Sequence, residues 1–379
     1  MSIRTVVIVV LGAALAGQLI AAEGKSNGKT NSLYFPPTEG SWEQIEPTAA
    51  GWNLPKLDAA MEFARERKSS GVVVLYRGRI LVERYWDLKP KATLSNGRQN
   101  RYYHMIHGRD SAGHVIEDVA SAQKSIVSVL TGIAQHKGLL KIGEPVHKYL
   151  GQGWSKAPRD AEAKITLRHL LTMTSGLNDQ LEYEVPAGTK WRYNTSAYSQ
   201  VLLAVSTAAQ MKPNELTRKW LTGPIGMDDS RWVERPWVKE RQVANNFGFA
   251  TTARDLARFG LLVLAGGLWN DQVVVEDGKY LREALQPSQD LNPSYGYLWW
   301  LNGQPSVLRG NGERRLKGPL VPNSPDDLVA AFGALGRKAY IVPSEELVVT
   351  RLGDSPELAN QPSFDEEFWK RLMAAAPKN

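Results

Sequence analysis

Cysteine is absent from all 379 residues. That excludes a disulfide framework, a cysteine-ligated zinc or iron–sulfur centre, and a thiol nucleophile. No H-E-x-x-H, P-loop or EF-hand pattern occurs either. Charge of one sign is scarce: 46 Lys+Arg against 39 Asp+Glu gives 46 − 39 = +7. Nucleic-acid binders concentrate a larger basic excess, so a weak attraction to an anionic envelope is the most this balance supports. Beyond the N-terminus no apolar run has the length of a membrane-spanning helix. With 42% hydrophobic and 22% charged residues, the chain reads as globular, one large domain or two interleaved ones.

Residues 1–22 carry a single charge, Arg4, then an apolar run and two small-residue endings, Ala14-Leu15-Ala16 and Ile20-Ala21-Ala22. This is the pattern of a secretory signal peptide, so a secreted or periplasmic protein is expected. Its removal would leave 45 − 39 = +6. Residues 23–40 begin polar and Gly/Asn-rich and read as a flexible lead-in, with the folded domain expected over 41–379.

In the mature chain, Leu57, Ala60, Met61 and Ala64 have the spacing of an amphipathic helix over Leu54–Lys68. Two β-branched and aromatic runs, Gly71–Tyr76 and Arg79–Trp86, flank Arg77-Gly78 and predict a hairpin. From Asp118 to about Leu285 the signals are mostly helical; strand signals return at Leu328–Ala334, Ala339–Val342 and Leu347–Leu352, before a helix at Glu366–Ala375. The expected fold class is therefore α/β (α+β): a sheet from both chain ends, flanked by helices, with a helical insertion over roughly 120–290 and a cleft between.

Chemistry-bearing patterns are few. Gly24-Lys25-Ser26-Asn27-Gly28 matches a nucleophile elbow and Ser26–Lys29 matches S-x-x-K, but both sit in the lead-in without a strand or helix to fix them. His104, His107 and His114 border a polar glycine-containing stretch and read as surface loop residues rather than metal ligands. Ser121-Ala122-Gln123-Lys124 is better placed, following Asp118 as a possible N-cap and opening an apolar helix. Spacing of i, i+3 puts hydroxyl and amine on one face, and burial would help the amine act as a base. Taken alone, the tetrad reads more simply as a capped helix with an exposed lysine.

The order of later segments changes that balance. Ile165–Leu177, Pro186–Thr195, Gly223–Asp228, Ala253–Gly260 and Tyr295–Trp300 follow the tetrad in a sequence that resembles the serine β-lactamase-like, penicillin-recognising superfamily. The similar branch holds class C β-lactamases, D-alanyl-D-alanine peptidases, esterases and 6-aminohexanoate-dimer hydrolase, and the resemblance runs from about Leu54 to Leu352. It implies an antiparallel sheet with flanking helices. It further implies Ser121 as acyl-accepting nucleophile, Lys124 as its proton partner, and Tyr193 as the Y-x-N tyrosine relaying the proton, with a phenol pKa depressed by the nearby lysine.

Asparagine falls one place early in Tyr193-Asn194-Thr195, so no substrate contact is assigned to it. The third motif, K-T-G or H-x-G in the family, would fall at Ala334-Leu335-Gly336-Arg337, without the basic first residue. By the resemblance, Gly336 keeps that strand slim, the Arg337 N–H joins that of Ser121 in an oxyanion hole, and Trp299 and Trp300 wall the cleft. Arg337 or Lys338 would stand in for the missing base. The implied activity is cleavage of a small-molecule ester or amide, without cofactor, metal or nucleic acid. A β-lactamase or D-alanyl-D-alanine peptidase is the alternative enzyme, and a catalytically silent envelope-binding protein on the same fold is the alternative of another class.

Overall fold

Residues 33–38, 40–93, 97, 99–236, 246–309 and 314–378 are described by a computed structural model. The expected signal peptide and the decoy motifs at 24–29 lie outside these residues. The lead-in expected to reach residue 40 ends earlier. Tyr34 N–H donates to Arg77 O, Arg258 donates to Pro37 O, and the Phe35 and Trp269 rings meet edge to face, so residues 33–38 are packed on the domain. Aromatic and proline side chains here bury area that a polar linker could not.

The N-terminal hairpin pairs Ser69–Tyr76 with Arg79–Tyr85. Its turn holds Arg77 at φ 53° and Gly78 at φ 81°, and a Cβ on Gly78 would lie 1.9 Å from Tyr34 O, so only glycine fits. Ser69–Tyr76 also pairs antiparallel with Leu347–Gly353, joining the two chain ends in one sheet. Among the described residues this sheet has six strands, in the order Arg79–Tyr85, Ser69–Tyr76, Leu347–Gly353, Lys338–Val342, Val329–Phe332, Trp300–Leu301.

Alternation along these strands builds two cores. Val72, Val74, Tyr340, Val342 and Val349 pack with Leu57, Phe63, Phe368 and Trp369 of the helices Leu54–Glu66 and Phe364–Ala375. Val73, Leu75, Ile341 and Val348 turn to the opposite core, with Phe259 of Ala253–Leu264 and Ile126 and Leu130 of Gln123–His136. Each such side chain contributes roughly 1.5–3 kcal/mol of transfer free energy. Gly260 lets its helix approach the sheet, because a Cβ there would sit 2.4 Å from Val348 Cγ1.

The insertion is less helical than its sequence suggests. A second antiparallel sheet orders Ile106–Arg109, Val115–Asp118, Phe247–Thr251 and Arg231–Glu234. These strands are short and carry Gly108, Gly248 and several charges, so no alternating apolar pattern marks them. The stretch read as a surface loop of histidines is thus partly strand, and His114 stacks on Tyr85 with ring centroids 3.5 Å apart. Glu117, on the second sheet, ties the two sheets together: it meets Arg337 Nη2 at 2.7 Å, both side chains fully buried, accepts from Gly353 N–H at 3.2 Å, and bonds the Ser70 hydroxyl.

Candidate active site

The strand Val115–Asp118 delivers the chain directly into the turn Ala120–Ala122 and then the 14-residue helix Gln123–His136. Ala120 is held at φ 52°, a left-handed conformation costly for a residue with a side chain. Asp118 does not cap the helix as the sequence suggested; its carboxylate accepts from Ala120 N–H at 2.8 Å and takes the Arg235 guanidinium in two bonds of 2.6 and 2.7 Å. Gln123 Oε1 accepts from Arg235 and from Phe249 N–H, and its amide donates to Phe247 O. The turn bearing Ser121 is thereby clamped to the second sheet.

Lys124 Nζ lies 3.0 Å from Ser121 Oγ. The lysine is 2% exposed. Its amine sits over the rings of Tyr193 and Tyr198, 4.8 and 4.5 Å from their centroids, and 3.4 Å from Thr195 Oγ1. No carboxylate contacts it among the described residues. Burial therefore pulls its pKa from 10.5 to about 7, and the Arg235 charge adds to the effect. In the neutral form the amine accepts the Ser121 O–H.

Tyr193 hydrogen-bonds Ser121, yet burial outweighs that bond and pushes the phenol up to about 12. The expectation of a depressed phenol is corrected here. Desolvation favours the uncharged form of both groups, so the lysine pKa falls toward 7 while the tyrosine pKa rises. Asn194, left unassigned from sequence, is structural: it caps the helix Thr195–Ala209 through Ala197 N–H and donates to Leu177 O and Asn178 O, both at 2.8 Å. The next residue, Thr195, is the one whose side chain reaches the lysine.

Ser121 and Tyr193 open onto a cleft of about 300 Å³ lined also by Trp300, Arg309, Leu320, Phe332, Gly333 and Ala334. A larger open groove of about 720 Å³, lined by Tyr34, Phe35 and Trp269 among others, contains none of the reactive trio. Three sequence assignments are corrected by this lining. Gly336 faces Pro356 and Arg351, where a Cβ would lie 2.7–2.8 Å from their side chains. The glycine beside the nucleophile is Gly333, whose Cβ would fall 2.0 Å from Val119 O. Arg337 is buried on Glu117, and its carbonyl accepts from Gly333 N–H at 2.7 Å, so it shapes the loop instead of facing the cleft. Lys338 is likewise committed, to Asp365.

Trp299 is fully buried and stacks on Phe259 at 5.9 Å; its neighbour Trp300 forms the wall, stacked on Tyr193 at 5.8 Å and Phe332 at 6.3 Å. Of the residues that sequence reasoning missed, Gly333 had the same signal as Gly336. Gln123 and Thr195 sat inside the two quoted motifs without a role assigned to them, whereas Arg235 and Arg309 carried no signal, because only tertiary packing brings them to the site.

Comparison with known proteins agrees with this architecture. The family model described as Beta-lactamase matches residues 56–370. An uncharacterized protein of Alkalihalophilus pseudofirmus is 25% identical over 329 residues, covering 80% of this chain and 90% of its own. Two solved structures share the fold at lower identity. One is a beta-lactamase/D-alanine carboxypeptidase from Yersinia pestis, with 18% identity, TM-score 0.58, and 84% of this chain and 97% of that one covered. The other is described as a "putative 6-aminohexanoate-dimer hydrolase" from Bacillus anthracis, with 14% identity, TM-score 0.59, and coverage of 90% and 88%. With most of its length matched, the chain belongs to the beta-lactamase family, of the serine-hydrolase kind.

Proposed function

We propose that this is an exported serine hydrolase that cleaves a small-molecule ester or amide through an acyl-enzyme on Ser121. The observation that carries the reading is the amine of Lys124, buried without a carboxylate and 3.0 Å from Ser121 Oγ. A neutral amine at that distance takes the Ser121 proton as Oγ attacks the carbonyl carbon. The peptide N–H groups of Ser121 and Ala334, on the two walls of the cleft, would receive the developing oxyanion. As the ester or amide bond breaks, Tyr193 gives its hydroxyl proton to the leaving group and regains one from Lys124. Water then attacks the acyl carbon, its proton passes to the same pair, and Ser121 leaves reprotonated. A phenol pushed up to about 12 suits this role, because it holds a proton until the leaving group needs it.

Among the described residues, the cleft wall at Phe332–Ala334 carries no lysine or histidine, where the penicillin-recognising pattern has one in its third motif. Ester or amide turnover is therefore favoured over penicillin acylation. A fluorophosphonate probe is expected to label the protein and to fail on Ser121→Ala; equal labelling of both would sink the proposal. A fluorescent penicillin is expected to leave the protein unlabelled, and labelling that vanishes in Ser121→Ala would move the substrate class to β-lactams. Export rests on the N-terminal pattern of residues 1–22, and mass spectrometry of the mature N-terminus tests it.

A further inference from the structure

Two buried side chains that do not line the cleft join the elements that form its two walls. Glu117 lies on the strand Val115–Asp118, four residues before Ser121, and Arg337 follows Ala334 by three. Arg337 Nη2 is 2.7 Å from Glu117 Oε2, and neither side chain reaches solvent. Each partner is fixed on its own side. Glu117 also accepts from Gly353 N–H at 3.2 Å and from the Ser70 hydroxyl. Arg337 closes the loop after Phe332: its carbonyl accepts from Gly333 N–H at 2.7 Å, and its Nη1 reaches Ala334 O at 3.4 Å. Arg351 Nη1 donates to the next two carbonyls, Leu335 O and Gly336 O, at 3.0 and 2.9 Å. These bonds hold Leu335 at φ 60°, a conformation unfavourable for a residue with a side chain. The loop so formed presses Gly333 against the nucleophile's turn, where a Cβ would lie 2.0 Å from Val119 O and 3.3 Å from Ala122 N.

Stability alone does not account for this arginine. Its Nε has no hydrogen-bond partner among the described residues, and apolar side chains of similar volume often replace a buried ion pair without loss. What the pair supplies is a fixed distance. We propose that Glu117 and Arg337 are a positioning pair for the oxyanion hole, setting the spacing between the Ser121 and Ala334 N–H groups. The inference rests on the hydrolase reading for the identity of those two donors. One donor is carried by the segment that leaves Glu117, the other by the loop that ends at Arg337, so the ion pair bridges the two. Both donors must reach one oxygen, and a misplacement of about 1 Å can cost about 10²-fold in rate. Arg337 thus serves the cleft from the far side of its loop, without touching substrate.

Arg337→Lys and Glu117→Asp keep both charges and change the length of the link. Each is expected to lower kcat on a nitrophenyl ester about tenfold to hundredfold, with KM within about threefold and the pH dependence of the rate unmoved. Phenylboronic acid reads the hole directly. Ser121 Oγ adds to boron as its proton passes to Lys124, nothing leaves, and one boronate oxygen takes the place of the oxyanion. Its affinity is expected to fall by the same factor as kcat in each variant. A lowered Tm with kcat and boronate affinity within about twofold of the native protein reduces the pair to scaffold and overturns the assignment. A pH dependence that moves with the rate places the effect on Lys124 and overturns it too. Crystal structures of the native protein and Arg337→Lys separate the link from the hydrolase reading. Gly333–Gly336 is expected to shift away from Val119 in the variant, and an unmoved loop overturns the link whether or not the protein turns over an ester. A shifted loop in a protein that neither hydrolyses esters nor takes the boronate upholds the link and removes the hydrolase reading.

Discussion

Among the described residues two lysines are buried, and they do opposite work. Lys338 meets Asp365, which also accepts the Tyr340 hydroxyl at 2.6 Å. Burial lowers the Lys338 pKa as it does that of Lys124, but here Asp365 opposes the shift through its charge and hydrogen bond. In return the Lys338 charge and the two hydrogen bonds hold the Asp365 carboxyl below its ordinary value against its own burial, which favours the ionised pair. Lys124 has hydroxyls and aromatic faces for company, with Arg235 adding a like charge. A buried lysine given a carboxylate becomes scaffold; one denied it gives up its proton near neutrality and becomes a base.

The comparison breaks most sharply on activity. Lys124→Met is expected to lower kcat about 10³–10⁴-fold on any ester the enzyme accepts, as is Ser121→Ala, whereas no such loss is expected from the scaffold lysine. A Lys124→Met protein that keeps more than a tenth of wild-type turnover in a nitrophenyl-ester assay would make the two lysines equivalent.

Stability should respond the other way round. Asp365→Asn leaves Lys338 buried without its counter-charge and is expected to cost about 3–5 kcal/mol in urea unfolding, with Lys338→Met/Asp365→Leu recovering most of it. Lys124→Met removes a group that folding forces toward neutrality, so it should stabilise. The sign follows from proton binding. Between about pH 7 and 10.5 an unfolded Lys124 holds a proton that the folded one has lost, so wild-type stability rises with pH across that window. The gain from Lys124→Met is therefore largest at pH 7 and below and fades toward pH 10.5. Its ceiling is about 5 kcal/mol, from 3.5 pKa units at about 1.4 kcal/mol each, and the loss of packed methylenes reduces it to a rise of a few degrees in Tm. Equal gains at pH 6 and pH 10 would contradict the assignment.

The same pKa sets the acid limb of activity. Turnover, as kcat/KM, is expected to rise through pH about 7 as Lys124 loses its proton, and to stay high until far above pH 9, since Tyr193 keeps its own. An acid limb near pH 4–5 would point to a carboxylate as the base instead.

The difference between scaffold and site also explains what the sequence made visible. The hairpin at Arg77-Gly78, the flanking helices and the strands after Leu328 are written in local period and turn chemistry, and they fold as read. Ser121 and Lys124 are singled out by the order of the later segments, since the i, i+3 spacing of the tetrad taken alone reads as a capped helix with an exposed lysine. Trp299 and Trp300 show the limit: neighbours on an extended segment face opposite ways, so one position separates a buried core ring from the cleft wall. Gly333 and Gly336 differ by three residues and by which backbone each lets approach, Val119 in one case and the Pro356 and Arg351 side chains in the other. Arg337 looked available because nothing near it in sequence offers a carboxylate; Glu117, more than two hundred positions earlier, supplies one.

The smallest effect concerns the residue standing where the asparagine was expected. Asn194 is used up in capping the helix that follows, so the position that faces Lys124 falls to Thr195. Its hydroxyl is the weaker of the two oxygen contacts of the amine, at 3.4 Å against 3.0 Å for Ser121. That makes it a positioning residue, keeping Nζ aimed at Oγ in a pocket otherwise made of ring faces. Thr195→Val preserves the shape and deletes the oxygen. Turnover is expected to fall about threefold to tenfold, with the acid limb moving down by a few tenths of a pH unit because the charged amine loses one of its acceptors. Thr195→Ser restores the oxygen and should bring both rate and limb back. A role in packing alone would spare the pH profile and favour valine over serine, and that reversed order would remove Thr195 from the site.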